Sequence, residues 1–106
     1  IVANYAAIGI EVVAETHWGL QDNFSFSTVT EHSIAAAVRD AAAAGPDAIV
    51  ILCTNVRGAP LVPGLEAELG IPVYDSIAAT VWKSLLLCGE DPAALSGWGR
   101  LFARAG

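Results

Sequence analysis

The residues best suited to chemistry in this chain gather around one short stretch. Cys53 closes an apolar run and is followed at once by Thr54 and Asn55. A cysteine at such a place can act as nucleophile or as proton donor. Backbone amides in a polar turn can form a concavity that favours negative charge, holding a carboxylate and stabilising a thiolate. The same residue at a strand end is also a common small buried hydrophobe, and spacing alone leaves both readings open. Cys88 lies beside Leu85, Leu86 and Leu87 and reads as inert packing. His17, next to Trp18 and Gly19, has the chemistry of a general acid or base, although a loop histidine bonded to backbone is the commoner role. Asn23 can donate to a substrate carboxylate or simply form a turn. Arg57 can steer an anion or pair with Glu66 or Glu68, and the ion pair is favoured. Asp75 reads as a capping or orienting carboxylate, and Trp82 and Trp98 as core or interface residues.

These residues need elements to carry them. Asn4 to Ile8, stopped by Gly9, reads as a helix end, and the β-branched Ile10–Ala14 as a strand. Glu15 to Ser27 lacks periodicity and reads as a loop. Thr28 and Glu31 fit a capping box that opens a helix with a stripe of Ile34, Val38 and Ala41. Gly45-Pro46 ends that helix. Ala48–Cys53 is continuously apolar, which predicts a strand buried on both faces. Pro60 opens a helix carrying Leu61, Leu65 and Leu69, with Pro63 in its first turn. Ile71–Tyr74 reads as a third strand. Ser76 is the expected cap of a further helix, with an inward stripe of Ile77, Val81 and Leu85. Asp91-Pro92 starts one more helical turn, and Trp98, Leu101 and Phe102 are expected to dock.

The order strand, helix, strand, helix, strand, helix predicts an α/β fold: a three-layer sandwich with a parallel sheet. Ligands in such folds bind beyond the carboxyl ends of the strands. Three segments occupy that edge: Glu15 to Ser27, the turn at Cys53-Thr54-Asn55, and Asp75-Ser76.

Composition narrows the classes. The 106 residues carry five Lys plus Arg against eleven Asp plus Glu, a net charge of −6, and 55% are hydrophobic. Disorder is excluded by that apolar content. Five scattered bases do not make a phosphate-binding surface, so no nucleic-acid partner is expected. No run approaches the roughly 20 apolar residues of a membrane span. Two cysteines outside any CxxC pair give neither a disulfide framework nor a zinc site, and a cytoplasmic setting is expected. No GxGxxG, P-loop, GxSxG or zincin spacing occurs. The chain has no Met, so residues 1–106 are expected to be a single domain within a longer chain. The high apolar fraction implies a surface covered by further sequence or a partner, and a homo-oligomer stays open.

From Asp47 to Gly89 the sequence resembles the C-terminal half of the aspartate/glutamate racemase superfamily, within it the maleate cis-trans isomerase and arylmalonate decarboxylase branch. The residues that carry the likeness are Cys53-Thr54-Asn55, Arg57, Leu65-Glu66 and Pro72-Val73-x-Asp75-Ser76. More loosely it extends to Gly9-Ile10-Glu11-Val12 and Asn23. The resemblance implies two similar α/β halves around a cleft, each offering one cysteine. Cys53 would then be the second cysteine, with Thr54, Asn55 and Asn23 contacting the substrate. No metal or organic cofactor is implied. The implied reactions on small carboxylates are isomerisation of the maleate-to-fumarate type, racemisation of an aspartate, glutamate or hydantoin type, or arylmalonate decarboxylation. Thr54-Asn55 favours the isomerase branch, because the decarboxylase turn tends to be glycine-rich. The first cysteine, and a Tyr upstream of it, fall before Ile1, so this chain alone is expected to be inactive. A non-catalytic binding domain of the same fold is the reading from another class.

Overall fold

The computed structural model describes residues 2–16, 19, 25 and 27–104. Its centre is a βαβ unit. Strand β1 (Ile49–Ile51) pairs in parallel with β2 (Val73–Asp75), with Ile49 opposite Val73, Val50 opposite Tyr74 and Ile51 opposite Asp75. A parallel pair needs a long crossover. Here it consists of a 3-10 turn (Ala59–Leu61) leading into an α-helix (Val62–Leu69). Numbered in chain order, the helices are α1 (Val2–Ala7), α2 (Glu31–Ala42), α3 (Val62–Leu69) and α4 (Ser76–Leu87). Two 3-10 turns follow, Pro92–Leu95 and Arg100–Ala103.

One core joins these elements. Ile34 and Val38 of α2 pack with Ile49, Ile51, Val56, Val62, Leu65 and Val73. The Ile34–Val38 stripe therefore lies inward as its spacing predicts. Pro60 and Pro63 sit in starting turns, where a missing amide costs little. Gly70 ends α3 at φ +73, a left-handed conformation in which a Cβ would be strained. Phe102 is buried and docks the end of the chain, while Trp98 is 45% exposed. Trp82 is half-buried and donates through Nε1 to the Arg104 carbonyl at 2.9 Å.

The α/β class with a parallel sheet holds, and several local expectations do not. Ile10–Ala14 forms no strand. Its apolar residues have no ladder partner among the described residues, and Ile10 and Val13 are each 49% exposed. Helix α2 is capped by Thr30, whose Oγ1 accepts from the Ser33 amide at 3.1 Å, and not by Thr28, whose hydroxyl donates to the Ser25 carbonyl. Strand β1 is buried on one face only: Val50 is 53% exposed, and Leu52, just past the strand, 55%. On α4 the inward residue is Ala78, whereas Ile77 and Val81 face outward. Asp75, not Ser76, caps that helix through its Oδ2, which accepts from the Ala78 amide at 3.0 Å.

Candidate functional site

The end of β1 determines where Cys53 sits. Ile51 is the last strand residue, and the chain turns through Cys53, Thr54 and Asn55 to Val56, which re-enters the core. The turn is closed by the Val56 amide donating to the Cys53 carbonyl (3.3 Å) and by Gly58 donating to Val56 (2.9 Å). Among the described residues, the amides of Thr54 and Arg57 donate to no backbone carbonyl. Cys53 is half-buried and packs on the core from its rim, Thr54 is exposed and Asn55 is half-buried. The cysteine thus stands at the carboxyl end of a parallel strand, where such folds place their ligands. Its partly open surroundings differ from the fully enclosed packing of an inert core thiol.

The neighbouring strand end adds a second group. Asp75 is 1% exposed. Its Oδ2 caps α4, whereas its Oδ1 has no hydrogen-bond partner among the described residues. Burial pushes this carboxyl above the ordinary carboxylate range, against the smaller opposing effect of the Ala78 and Ile77 amides. Ser76 donates from Oγ to the Ile51 carbonyl at 2.9 Å, linking the two strand ends. The structure therefore brings Cys53, Thr54 and Asn55 together with the Asp75-Ser76 segment at one sheet edge. Asn23 and His17 lie outside the described residues.

Arg57 is exposed and pairs with neither expected glutamate. Glu68 instead accepts two bonds from Arg39 at 2.7 and 2.9 Å, which holds its carboxyl below the ordinary range. Glu66 is buried, and its two oxygens accept from the amides of Val73 (3.0 Å) and Arg100 (2.8 Å). That structural role was legible in the spacing of Val62, Leu65, Glu66 and Leu69, which places the glutamate on the inward face of α3. Cys88 is exposed at the end of α4 and does not form part of the strand-end cluster. An open groove of about 540 Å³ lies between Tyr74, Ala79, Trp82, Lys83, Leu101 and Arg104, and Cys53 does not line it. No helix among the described residues is long and apolar enough to cross a membrane.

The family model for arylmalonate decarboxylase matches residues 1–102. The chain belongs to the arylmalonate decarboxylase family. Arylmalonate decarboxylase of Bordetella bronchiseptica is 36% identical over 61 residues, 58% of this chain and 25% of that protein. Maleate isomerase of Nocardia farcinica is 31% identical over 102 residues, 95% of this chain and 40% of its own length. A solved structure of an arylmalonate decarboxylase variant, in a sulfate-associated form, superposes with a TM-score of 0.82 at 25% identity. It covers 97% of this chain and 45% of the solved one. The chain therefore spans less than half the length of each of these relatives, all of which are enzymes. The family assignment agrees with the racemase-superfamily branch that the Cys53 and Asp75 motifs suggested.

Proposed function

We propose that this chain supplies the Cys53 side of the active site of a cofactor-independent enzyme that isomerises a small dicarboxylate, of the maleate-to-fumarate type. The observation that carries the reading is the half-buried Cys53 at the carboxyl end of β1, followed by the Thr54-Asn55 turn. Likeness to a maleate isomerase over 95% of the chain supports it. In the proposed step the Cys53 thiolate adds to one alkene carbon, forming a C–S bond. The electron pair moves onto the neighbouring carboxylate as an enediolate. The former double bond rotates as a single bond. Collapse of the enediolate then breaks the C–S bond, releasing the trans alkene and the thiolate with no net proton change. Thr54, Asn55 and Asn23 are proposed to hold the substrate carboxylates, since preorganised donors stabilise such an anion most where water is excluded. The other side of the cleft, with its own cysteine, is proposed to come from sequence outside residues 1–106. This chain alone would then lack turnover. A second reading, arylmalonate decarboxylation with Cys53 as proton donor to an enediolate, is favoured by the family model and by the 36% identity.

Thiol labelling of the complete enzyme tests the assignment. Access alone makes the exposed Cys88 alkylate faster than the half-buried Cys53. The proposal expects the reverse order, with maleate protecting Cys53 and leaving Cys88 unaffected. Slower labelling of Cys53 without protection by any dicarboxylate or arylmalonate contradicts it.

A further inference from the structure

We propose that Ser76 and Asp75 are positioning residues for Cys53, fixing the two ends of the turn that carries it. The inference rests on the reading of Cys53 as the reactive thiol and assigns that thiol its supports.

Each end of the turn meets one of two adjacent residues, Ser76 at the entry and Asp75 at the exit. At the entry, the Ile51 carbonyl accepts the Ser76 hydroxyl at 2.9 Å, two residues before Cys53. At the exit, a Cβ on Gly58 would lie 3.1 Å from Asp75 Oδ1 and 2.7 Å from Ile51 Cδ1. Gly58 is thus closed in by the strand-end pair that the register sets opposite each other, Ile51 and Asp75. The segment between these ends is held internally by the two backbone bonds at Val56 and Gly58. A turn clamped at both ends has little freedom to move its cysteine, and catalytic groups need this kind of support.

Asp75 does more than a cap requires. Capping α4 uses one oxygen, which Asn, Ser or Thr would also provide. A carboxylate in that place leaves Oδ1 buried with no hydrogen bond. Retaining such an unfavourable group calls for a reason. Its position against Gly58 supplies one: Oδ1 and the Ile51 side chain together crowd the exit of the turn, so an added Cβ would force them to shift.

The test uses the complete enzyme, with the Cys53 alkylation rate read by mass spectrometry and Cys88 as internal reference. Ser76→Ala removes the entry clamp, and Gly58→Ala disturbs the exit. Each is expected to change the Cys53 rate roughly fivefold, the effect of one typical hydrogen bond. The Cys88 rate and the far-ultraviolet circular dichroism stay constant. Ser76→Thr, which keeps the hydroxyl, restores the Cys53 rate to within about twofold of wild type. Should Gly58→Ala not fold, the Ser76 pair decides. A Cys53 rate in folded Ser76→Ala within twofold of wild type overturns the proposal, as does an equal change at Cys88. Maleate protection of wild-type Cys53 is scored separately, so loss of the functional reading and loss of the positioning role give different results.

Discussion

At the residue scale, Asp75 joins structure and pH. The sequence reads it as a capping or orienting carboxylate, and the geometry makes it a cap with one surplus oxygen. Its raised carboxyl pKa fixes the sign of the linkage. Between the unfolded value near 3.8 and the higher folded value, the folded state binds more protons than the unfolded chain. The stabilising contribution of Asp75 is therefore full below the unfolded pKa and is lost as pH rises through the folded pKa. Asp75→Asn is uncharged at every pH. Denaturant unfolding of both proteins from pH 3 upward is expected to show wild type losing ground to the variant as pH rises from about 4. A constant difference across that range contradicts the account. The cap itself illustrates why the residue next door was expected instead: Asp75 and Ser76 are adjacent and both are good caps, so only the backbone decides which one closes the helix.

At the element scale, spacing placed α2, α3 and the two paired strands, and located Cys53 at a strand end. It went wrong where two solutions were nearly equal. Helix α4 reads SIAATVWKSLLL, apolar almost all round, so periodicity does not choose between an Ile77–Val81 face and an Ala78–Trp82 face. Thr28 matched the capping box through Glu31, yet Thr30 stands directly before the first helical residue and bonds Ser33. Ile10–Ala14 has β-branched composition, but a strand also needs a neighbour, which composition does not supply. Glu66 shows the opposite lesson, a charged side chain at an inward helical position that joins three elements: α3, the start of β2 and the last 3-10 turn. Glu66→Ala would leave the buried Val73 amide and the part-buried Arg100 amide without their acceptor. The expected loss is about 3 kcal/mol by denaturant unfolding, and about half that for Glu66→Gln, which keeps one oxygen acceptor. A loss under about 0.5 kcal/mol for the alanine variant would mean the two bonds carry no stability.

At the scale of the whole molecule, the outer face of β1 matters most. The sequence predicted burial on both faces, and the described residues bury one, leaving Val50 and Leu52 open, as are Ile77 and Val81 of α4. Relatives are more than twice as long as this chain, and the two-half reading proposes that further sequence covers this face. Leu52→Lys tests it in the complete enzyme. A covered Leu52 makes that change cost about 2–3 kcal/mol, whereas a genuinely solvent-facing one leaves stability within about 0.5 kcal/mol. Family membership and α/β class were legible in the motifs around Cys53 and Asp75. The reaction is not: Thr54-Asn55 pointed to the isomerase branch, while the chain is similar to a decarboxylase and to an isomerase alike.

The central claim is that Cys53 performs covalent chemistry on a small dicarboxylate. Proton NMR of the complete enzyme with maleate tests it most directly. The account predicts fumarate, with turnover lowered at least about a thousandfold by Cys53→Ser and unchanged by Cys88→Ser. No fumarate from maleate, or a Cys53→Ser enzyme within tenfold of wild type, would contradict it.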